Sequence, residues 1–436
     1  MKICVQGLWH LGSVTAACLA SVGHDVVGLD GDANNISNLN QGKAPLFEPG
    51  LDEMIQNEIN EGHLRFAQSS REAVADAEVL WVTFDTPVDE EDQADVEFVL
   101  DKVKSVLPVL KDETVVLISS QIPVGSVRKL EHYVKENYSN KQICFAYSPE
   151  NLRLGKAIDV FLNPDRIVAG VRSEVTRKKL EKLFTPITNK IEWMSVESAE
   201  MTKHAINSFL ATSVTFANEL ASICEMYSAD AKEVERGLKT ETRIGPRAYL
   251  SPGGPFAGGT LARDIDFLTK AAKDKSLKVP LLQSVRASND EHKKWVQRKL
   301  FEKFATLKKL SVAIWGLTYK PETSTLRRSL AVELCDWLID EGANVHVYDP
   351  AVRELPSRWN DQVARYDNAL EALENTKVLV LGTEWAEFKE TAKKLLKFVE
   401  NDYLVIDANR FLQNVIIPQG INYTAVGMPQ KTVIND

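Results

Sequence analysis

The sequence predicts an α/β protein: two doubly wound parallel-sheet domains joined by a long central helix. Three observations carry this. Short apolar runs alternate with helix-periodic stretches through residues 1–195, which implies a parallel sheet. The same alternation restarts after residue 310, so each half begins as a βαβ unit whose second strand ends at an aspartate, Asp30 or Asp349. Between the halves, no Gly or Pro occurs from Ile187 to Arg236, and the apolar residues there recur at spacings of three and four. The domains are therefore drawn as 1–195, 196–300 and 301–436, of the size expected for 436 residues.

In the first domain, Lys2–Gln6 is a buried strand, Gly7–Gly12 a turn and Ser13–Val22 a helix stopped by Gly23. Asp25–Leu29 is the second strand, ending at Asp30. Such a unit sets a pyrophosphate on the helix N-terminus and a ribose hydroxyl on the carboxylate. The negative charge of Asp30 favours NAD over a 2′-phosphorylated dinucleotide. Gly7, Leu11, Gly12 and Asp30 are the cofactor candidates here. The G-x-G-x-x-G pattern is imperfect, because Trp9 stands at the second glycine. Further strands are expected at Val79–Thr83, Thr114–Ile118, Ile143–Tyr147 and Ile167–Gly170, with helices such as Val96–Val109 and Val127–Asn137 between them. Ligands in such sheets bind at the carboxyl ends of the strands. That places Asp85-Thr86-Pro87, Ser119–Pro123 and Ser148-Pro149-Glu150 at a site.

The central helix is expected from Ser195 to Tyr227. One stripe runs through Met201, Ala205, Phe209, Thr212, Phe216, Leu220, Ile223 and Tyr227, and a second through Ile206, Leu210, Ala217, Ala221 and Cys224. A helix apolar nearly all round should be buried on several sides. A polar row of Glu200, Lys203 and Asn207 interrupts it. Alone, such a row is usually a solvated stripe.

The second domain is expected to hold strands at Ser311–Trp315, Asn344–Tyr348, Val378–Leu381 and Tyr403–Ile406, with a helix at Leu330–Glu341. The net charge of −9 and the lack of a basic block argue against a nucleic-acid partner. Five scattered cysteines (4, 18, 144, 224 and 335) form no CxxC pair, which suits a reducing cytoplasm and gives no zinc site. MKICVQG reads as a strand rather than a signal peptide, and no apolar run reaches membrane-spanning length. A cytoplasmic, soluble protein without membrane insertion or a metal is expected.

Motifs along the chain add a resemblance. Pro45–Leu51 (PLFEPGL), Thr86-Pro87 with Ala94-Asp95, Ile122–Gly125 (IPVG), Ser148–Arg153 (SPENLR) and Pro164–Val168 (PDRIV) come in order. Ala199–Met201, Lys203, Asn207, Phe209–Thr212, Phe216, Asn218 and Glu219 follow on the helix. Arg243–Pro246 (RIGP), Tyr319–Pro321 with Thr323, Arg327 and Ser329, and Thr383–Trp385 (TEW) complete the series. Together they resemble the nucleotide-sugar dehydrogenases of the UDP-glucose 6-dehydrogenase type over residues 1 to about 411.

The resemblance implies two Rossmann-like domains, the first for NAD and the second for the nucleotide of a UDP-sugar, and a homodimer through the central helix. It also implies a pathway of two hydride transfers, with a cysteine thiolate capturing the intermediate aldehyde. By position, Lys203 and Asn207 match the oxyanion and proton-handling pair, Glu150 a carboxylate near the reacting carbon, and Asp264 the aspartate that positions a water. Substrate contacts are implied for Glu150, Arg153, Lys203, Asn207, Arg243, Tyr249, Gly258 and Lys320, with Arg243 crossing to a partner subunit. Cofactor contacts are implied for Thr86, Gln121, Asn35 and Arg327.

Departures concentrate at the same places. The cysteine position is Thr260, a weak nucleophile without a dedicated base. Gln121, Leu154, Asn35 and Asp85 replace the family's threonine, glutamate, lysine and glycine. The implied activity is NAD-dependent oxidation of a nucleotide-sugar, with the missing thiol arguing against full oxidation to the uronic acid. The alternatives are a two-electron enzyme stopping at an aldehyde or ketone, a redox-neutral variant, or a non-catalytic nucleotide-sugar-binding homologue.

Overall fold

The computed structural model describes residues 1–89, 94–150, 152–400 and 402–429. Asn151, within the SPENLR motif, lies outside them. The chain divides into two compact units, Met1–Ile206 and Asn207–Asp436. Each contains one sheet.

The first sheet has eight strands in the order β3-β2-β1-β4-β5-β6-β7-β8. They are β1 (Lys2–Gln6), β2 (Asp25–Leu29), β3 (Leu64–Ala67), β4 (Val79–Val82), β5 (Val115–Ile118), β6 (Cys144–Tyr147), β7 (Ile167–Gly170) and β8 (Ile191–Met194). The strands from β3 to β6 pair in parallel. The order reverses at β1, and ligands gather at such a switch point. The interior strands are apolar without alternation, as a sheet covered on both faces requires. One refinement concerns β7, which meets β6 antiparallel at Tyr147 and Gly170, so the parallel run stops at β6. Gly170 also lets the central helix pass close: a Cβ there would lie 2.7 Å from Ala199 Cβ and 2.8 Å from Val196 Cα.

The second sheet has six strands, all paired in parallel, in the order β11-β10-β9-β12-β13-β14. They are β9 (Ser311–Trp315), β10 (Asn344–Tyr348), β11 (Val363–Arg365), β12 (Val378–Leu381), β13 (Leu404–Ile406) and β14 (Asn422–Thr424). The expected strands recur within a residue or two. β3, β8, β11 and β14 were not anticipated; at three or four residues each they show too little alternation.

The central helix spans Val196–Met226. Its burial differs from expectation. Ala211, Ala217, Ala221 and Cys224 are buried, but Phe209 and Phe216 are 69% and 51% exposed, and Met201, Ile223, Met226 and Tyr227 are exposed as well. The first stripe is thus an uncovered apolar face. An all-round apolar pattern records that every face needs cover, but not whether this chain supplies it.

Candidate functional site

The first unit builds a dinucleotide turn. Gly7 has φ +93°, and a Cβ on Gly12 would overlap the Gly7 carbonyl oxygen, so both positions require glycine. The helix His10–Ser21 begins there with no acidic residue in its first turn and no side-chain cap. Its first N–H groups and positive dipole end therefore suit an anion. Leu11 is buried. The Trp9 side chain is 51% exposed, so the indole projects to solvent instead of filling the core behind the turn.

Asp30 follows β2. Its Oδ2 accepts from Leu8 N at 2.7 Å and its Oδ1 from Asp32 N at 3.0 Å. A carboxylate has about four acceptor positions, so two remain for ribose hydroxyls. Asn35 donates through Nδ2 to Leu8 O at 3.1 Å and so braces the turn. Thr86 is buried and donates to the Gln121 carbonyl at 2.6 Å, tying the loops after β4 and β5 together. The replaced glycine position, Asp85, is exposed.

An unanticipated latch joins this turn to the loop after β6. Buried Glu48 accepts from His10 Nε2 at 2.9 Å and from the Gly155 and Ala157 N–H groups at 2.8 Å each. Burial alone would raise its pKa, but these donors outweigh burial and hold it below the usual range. The buried glutamate in Pro45–Leu51 was the signal; its partners lie too far along the chain to be inferred.

Lys203 is only 7% exposed, and its Nζ donates to the Glu150 carbonyl at 2.7 Å and to Glu150 Oε1 at 3.1 Å. A second Glu150 oxygen accepts from Leu152 N at 2.8 Å. The structure thus brings Lys203 and Glu150 together as a charge-assisted pair. It separates Glu200 from the expected polar row. Glu200 accepts from Gly125 N at 2.7 Å and Val127 N at 3.0 Å, at the start of the helix Ser126–Asn137. Burial raises its pKa. Arg153 is exposed.

In the second unit, Asn207 Nδ2 donates to Asp264 Oδ2 at 2.5 Å, and both side chains are buried. Asp264 lies one turn beyond Thr260, which opens the helix Thr260–Asp274. The preceding loop is clamped. Gly253 N donates to Asn218 Oδ1 at 3.0 Å, the Phe256 N–H and carbonyl pair with Asn289, and His292 Nε2 lies 2.8 Å from the Gly253 carbonyl. Asn289 and His292, on one face of Pro280–Lys293, were missed. Their helical spacing was the available signal.

That loop borders a cleft of ≈ 340 Å³ containing Gly258, Thr260, Lys320 and Arg328. A second cleft of ≈ 360 Å³ opens past the ends of β12 and β13, with Lys320, Thr383, Glu384 and Asn409 on its walls. Burial raises the Glu384 pKa, partly offset by its hydrogen bond from Asn409. Arg327 is exposed nearby in sequence. Arg243 and Tyr249 line neither cleft: Arg243 pairs with Glu241 at 2.9 Å, and Tyr249 is exposed.

Residues 1–188 match the NAD binding domain of the UDP-glucose/GDP-mannose dehydrogenase family, 197–291 its central domain and 313–414 its UDP binding domain. The chain belongs to the UDP-glucose/GDP-mannose dehydrogenase family. The UDP-glucose 6-dehydrogenase of Rhizobium meliloti is 32% identical, with 98% of this chain and 100% of the relative aligned. That of Pseudomonas aeruginosa is 30% identical over 99% and 98%. A UDP-glucose dehydrogenase structure from Pyrobaculum islandicum has a TM-score of 0.85 at 26% identity, covering 98% of this chain and 97% of that one.

The family member described here is thus an NAD-dependent nucleotide-sugar dehydrogenase. The residues present fit NAD, since an uncapped helix end faces the turn and Asp30 keeps acceptor capacity. No helix among the described residues is long and apolar enough to cross a membrane. The thiols lie elsewhere: Cys4 in β1, Cys18 in the first helix, Cys144 in β6, Cys224 in the central helix and Cys335 in Leu330–Asp340. Burial pushes Cys18 up to about 12 and raises Cys4, Cys224 and Cys335 too, so these four are poor thiolate sources.

Proposed function

We propose that this chain oxidises a UDP-sugar by hydride transfer and does not run the thioester half of the family's chemistry. The observation that carries the reading is the contrast between two retained pairs, Lys203–Glu150 and Asn207–Asp264, and Thr260 at the nucleophile position. Lys203 and Asn207 lie one turn apart on the same helix. Bound NAD supplies the hydride acceptor.

The chain's own groups divide the remaining work. The Lys203 ammonium stabilises the oxygen of the reacting carbinol as negative charge develops there. Glu150, already hydrogen-bonded to Lys203, receives the hydroxyl proton directly or through water. The Asn207 amide is oriented by buried Asp264 and keeps a second N–H to donate to substrate. Asp30, the helix end at His10, Asn35, Thr86, Gln121 and Arg327 hold the dinucleotide. Lys320, Arg153, Arg243, Tyr249 and Gly258 hold the nucleotide-sugar, with Arg243 serving a partner's site. A hydroxyl at Thr260 lacks the acidity to capture an aldehyde, so oxidation stops after one hydride.

The uncovered stripe of Phe209, Phe216, Ile223 and Tyr227 supports a homodimer through the central helix. Trp9 does not favour a purely binding role, because its side chain is directed to solvent. A panel of UDP- and GDP-sugars incubated with NAD, with product masses recorded, tests the reading. Lys203→Met should slow NADH formation by about 10²–10³-fold, the effect of losing an oxyanion donor. A variant rate near wild type removes Lys203 from the mechanism.

A further inference from the structure

Glu48 is a buried carboxylate set against the dinucleotide turn, and the hydride step gives it no task. Its oxygens are shared among three donors from two distant stretches of chain. Oε2 accepts from Gly155 N at 2.8 Å and lies 2.9 Å from His10 Nε2, while Oε1 accepts from Ala157 N at 2.8 Å. The two backbone donors stand at the start of the helix Ala157–Leu162, whose own cap residue, Lys156, makes no side-chain hydrogen bond to it. His10 is the first residue of the helix His10–Ser21, which also begins without a side-chain cap. The donors outweigh burial and keep the carboxylate ionised.

Packing alone does not call for this charge. Apolar contact already joins these elements, since Ala157 lies in one core with Val14, Cys18 and Leu51. An apolar group of similar volume commonly stabilises a fold as well as a buried charge pair does. What charge-assisted hydrogen bonds add is direction, because each fixes a donor at a set distance and angle. That direction falls between two parts that hydride transfer must align. The turn that receives NAD follows β1, and Glu150, the proton acceptor, follows β6. β4 and β5 lie between them, so the two strands stand about 14 Å apart by ordinary strand spacing. Through Glu48, the first residue of the dinucleotide helix is tied directly to the segment that follows Glu150.

We propose that Glu48 and His10 are positioning residues: they hold the dinucleotide turn in register with the Glu150 segment, so that NAD and the proton acceptor meet the same carbinol. This rests on the hydride-transfer reading, which makes Glu150 the acceptor. Both residues act through others and not on the reacting atoms. Breaking the tie lets the turn and the carboxylate drift independently, and a misplacement of about 1 Å costs on the order of 10²-fold in rate.

Two variants of the full-length chain break the pair from opposite sides. His10→Phe keeps an aromatic ring and removes the donor, and Glu48→Gln sets an amide N–H against one of the donors. Calorimetric titration with NAD gives both Kd and the number of sites, so unfolded protein lowers the count and leaves Kd alone. Turnover is followed with NAD and UDP-glucose, or the sugar of the panel above that forms NADH fastest. Both variants should raise the NAD Kd about 10-fold. With both ligands saturating, kcat per site should fall about 10–100-fold, while KM for the sugar stays within about twofold. His10→Gln, still a donor, should recover part of both losses. Adding His10→Phe to Glu48→Gln should change little further, because both break the same pair. Kd and kcat within about twofold of wild type in both single variants, or losses that add in full, overturn the proposal. So does a weaker NAD Kd with kcat intact at saturation, which would be binding without alignment. If wild type forms no NADH from any sugar, the hydride reading fails and the NAD titration alone decides. A rise in Kd that His10→Gln reverses then sustains the tie, and an unchanged Kd removes it.

Discussion

Asp30 and Asp349 stand at the ends of β2 and β10, equivalent strands of the two sheets, and they are used differently. Asp30 is half-buried and spends two acceptor positions on Leu8 N and Asp32 N. Asp349 is buried and saturated. Its Oδ2 accepts from Leu317 N at 2.7 Å, Thr318 N at 3.1 Å, Thr318 Oγ1 at 3.3 Å and Trp385 Nε1 at 3.1 Å, while its Oδ1 accepts from Ala351 N at 2.8 Å. The helices differ in the same sense. In the first unit the helix starts three residues after Gly7; in the second, Leu330–Asp340 starts only after the long loop that carries Lys320 and Arg328. One supersecondary unit thus leaves acceptor capacity on its carboxylate at Asp30, and commits the carboxylate to structural donors at Asp349.

Exchanging alanine for each aspartate should expose that difference. Asp349→Ala leaves several buried donors unpaired and should lower the stability of the chain by roughly 3–5 kcal/mol in urea unfolding. Asp30→Ala should cost about 1 kcal/mol of stability, because the two backbone N–H groups that it frees, Leu8 and Asp32, are part-buried and exposed. Its larger effect should be on NAD, with Kd rising about 10-fold as charge-assisted ribose contacts are lost. Equal stability losses for the two variants would break the comparison.

A smaller effect comes from pH. In the first unit, hydrogen bonds from Arg172, helped by Arg128, hold Glu197 down to about 2 against an ordinary 4.5. A depressed carboxylate stabilises the fold above its unfolded pKa, and that contribution is lost as pH falls from about 4.5 toward about 2. In the second unit, burial raises Glu384 above 4.5, so its contribution has the opposite sign, and stability is lost as pH rises from about 4.5 through its raised folded value. Glu197→Gln should therefore flatten the acid limb of the stability profile, and Glu384→Gln should add stability at neutral pH. Thermal unfolding across pH 2–8 checks both; each change should stay within about 1 kcal/mol for partly solvated groups.

Much of the fold is legible along the chain because parallel sheets covered on both faces leave long apolar strands between helix-periodic stretches. β1, β9 and the central helix are placed within a residue for that reason. The three-residue strands β11 and β14 carry no usable period. Helical neighbours were legible where spacing is local: Lys203 and Asn207 are one turn apart, and so are Thr260 and Asp264. It was not legible where pairing is distant. Nothing in the sequence near Glu200 shows that its carboxylate is taken by Gly125 and Val127, and nothing near Glu48 points to Gly155.

On the proposed reading, the central helix retains hydride chemistry while the loop before Thr260 has lost the acid-forming half. The most direct measurement is the number of NADH molecules formed per nucleotide-sugar consumed, followed to completion with purified full-length chain. One NADH per sugar, with a carbonyl product, is the predicted result. Two NADH per sugar, with a newly formed uronic acid, would contradict it.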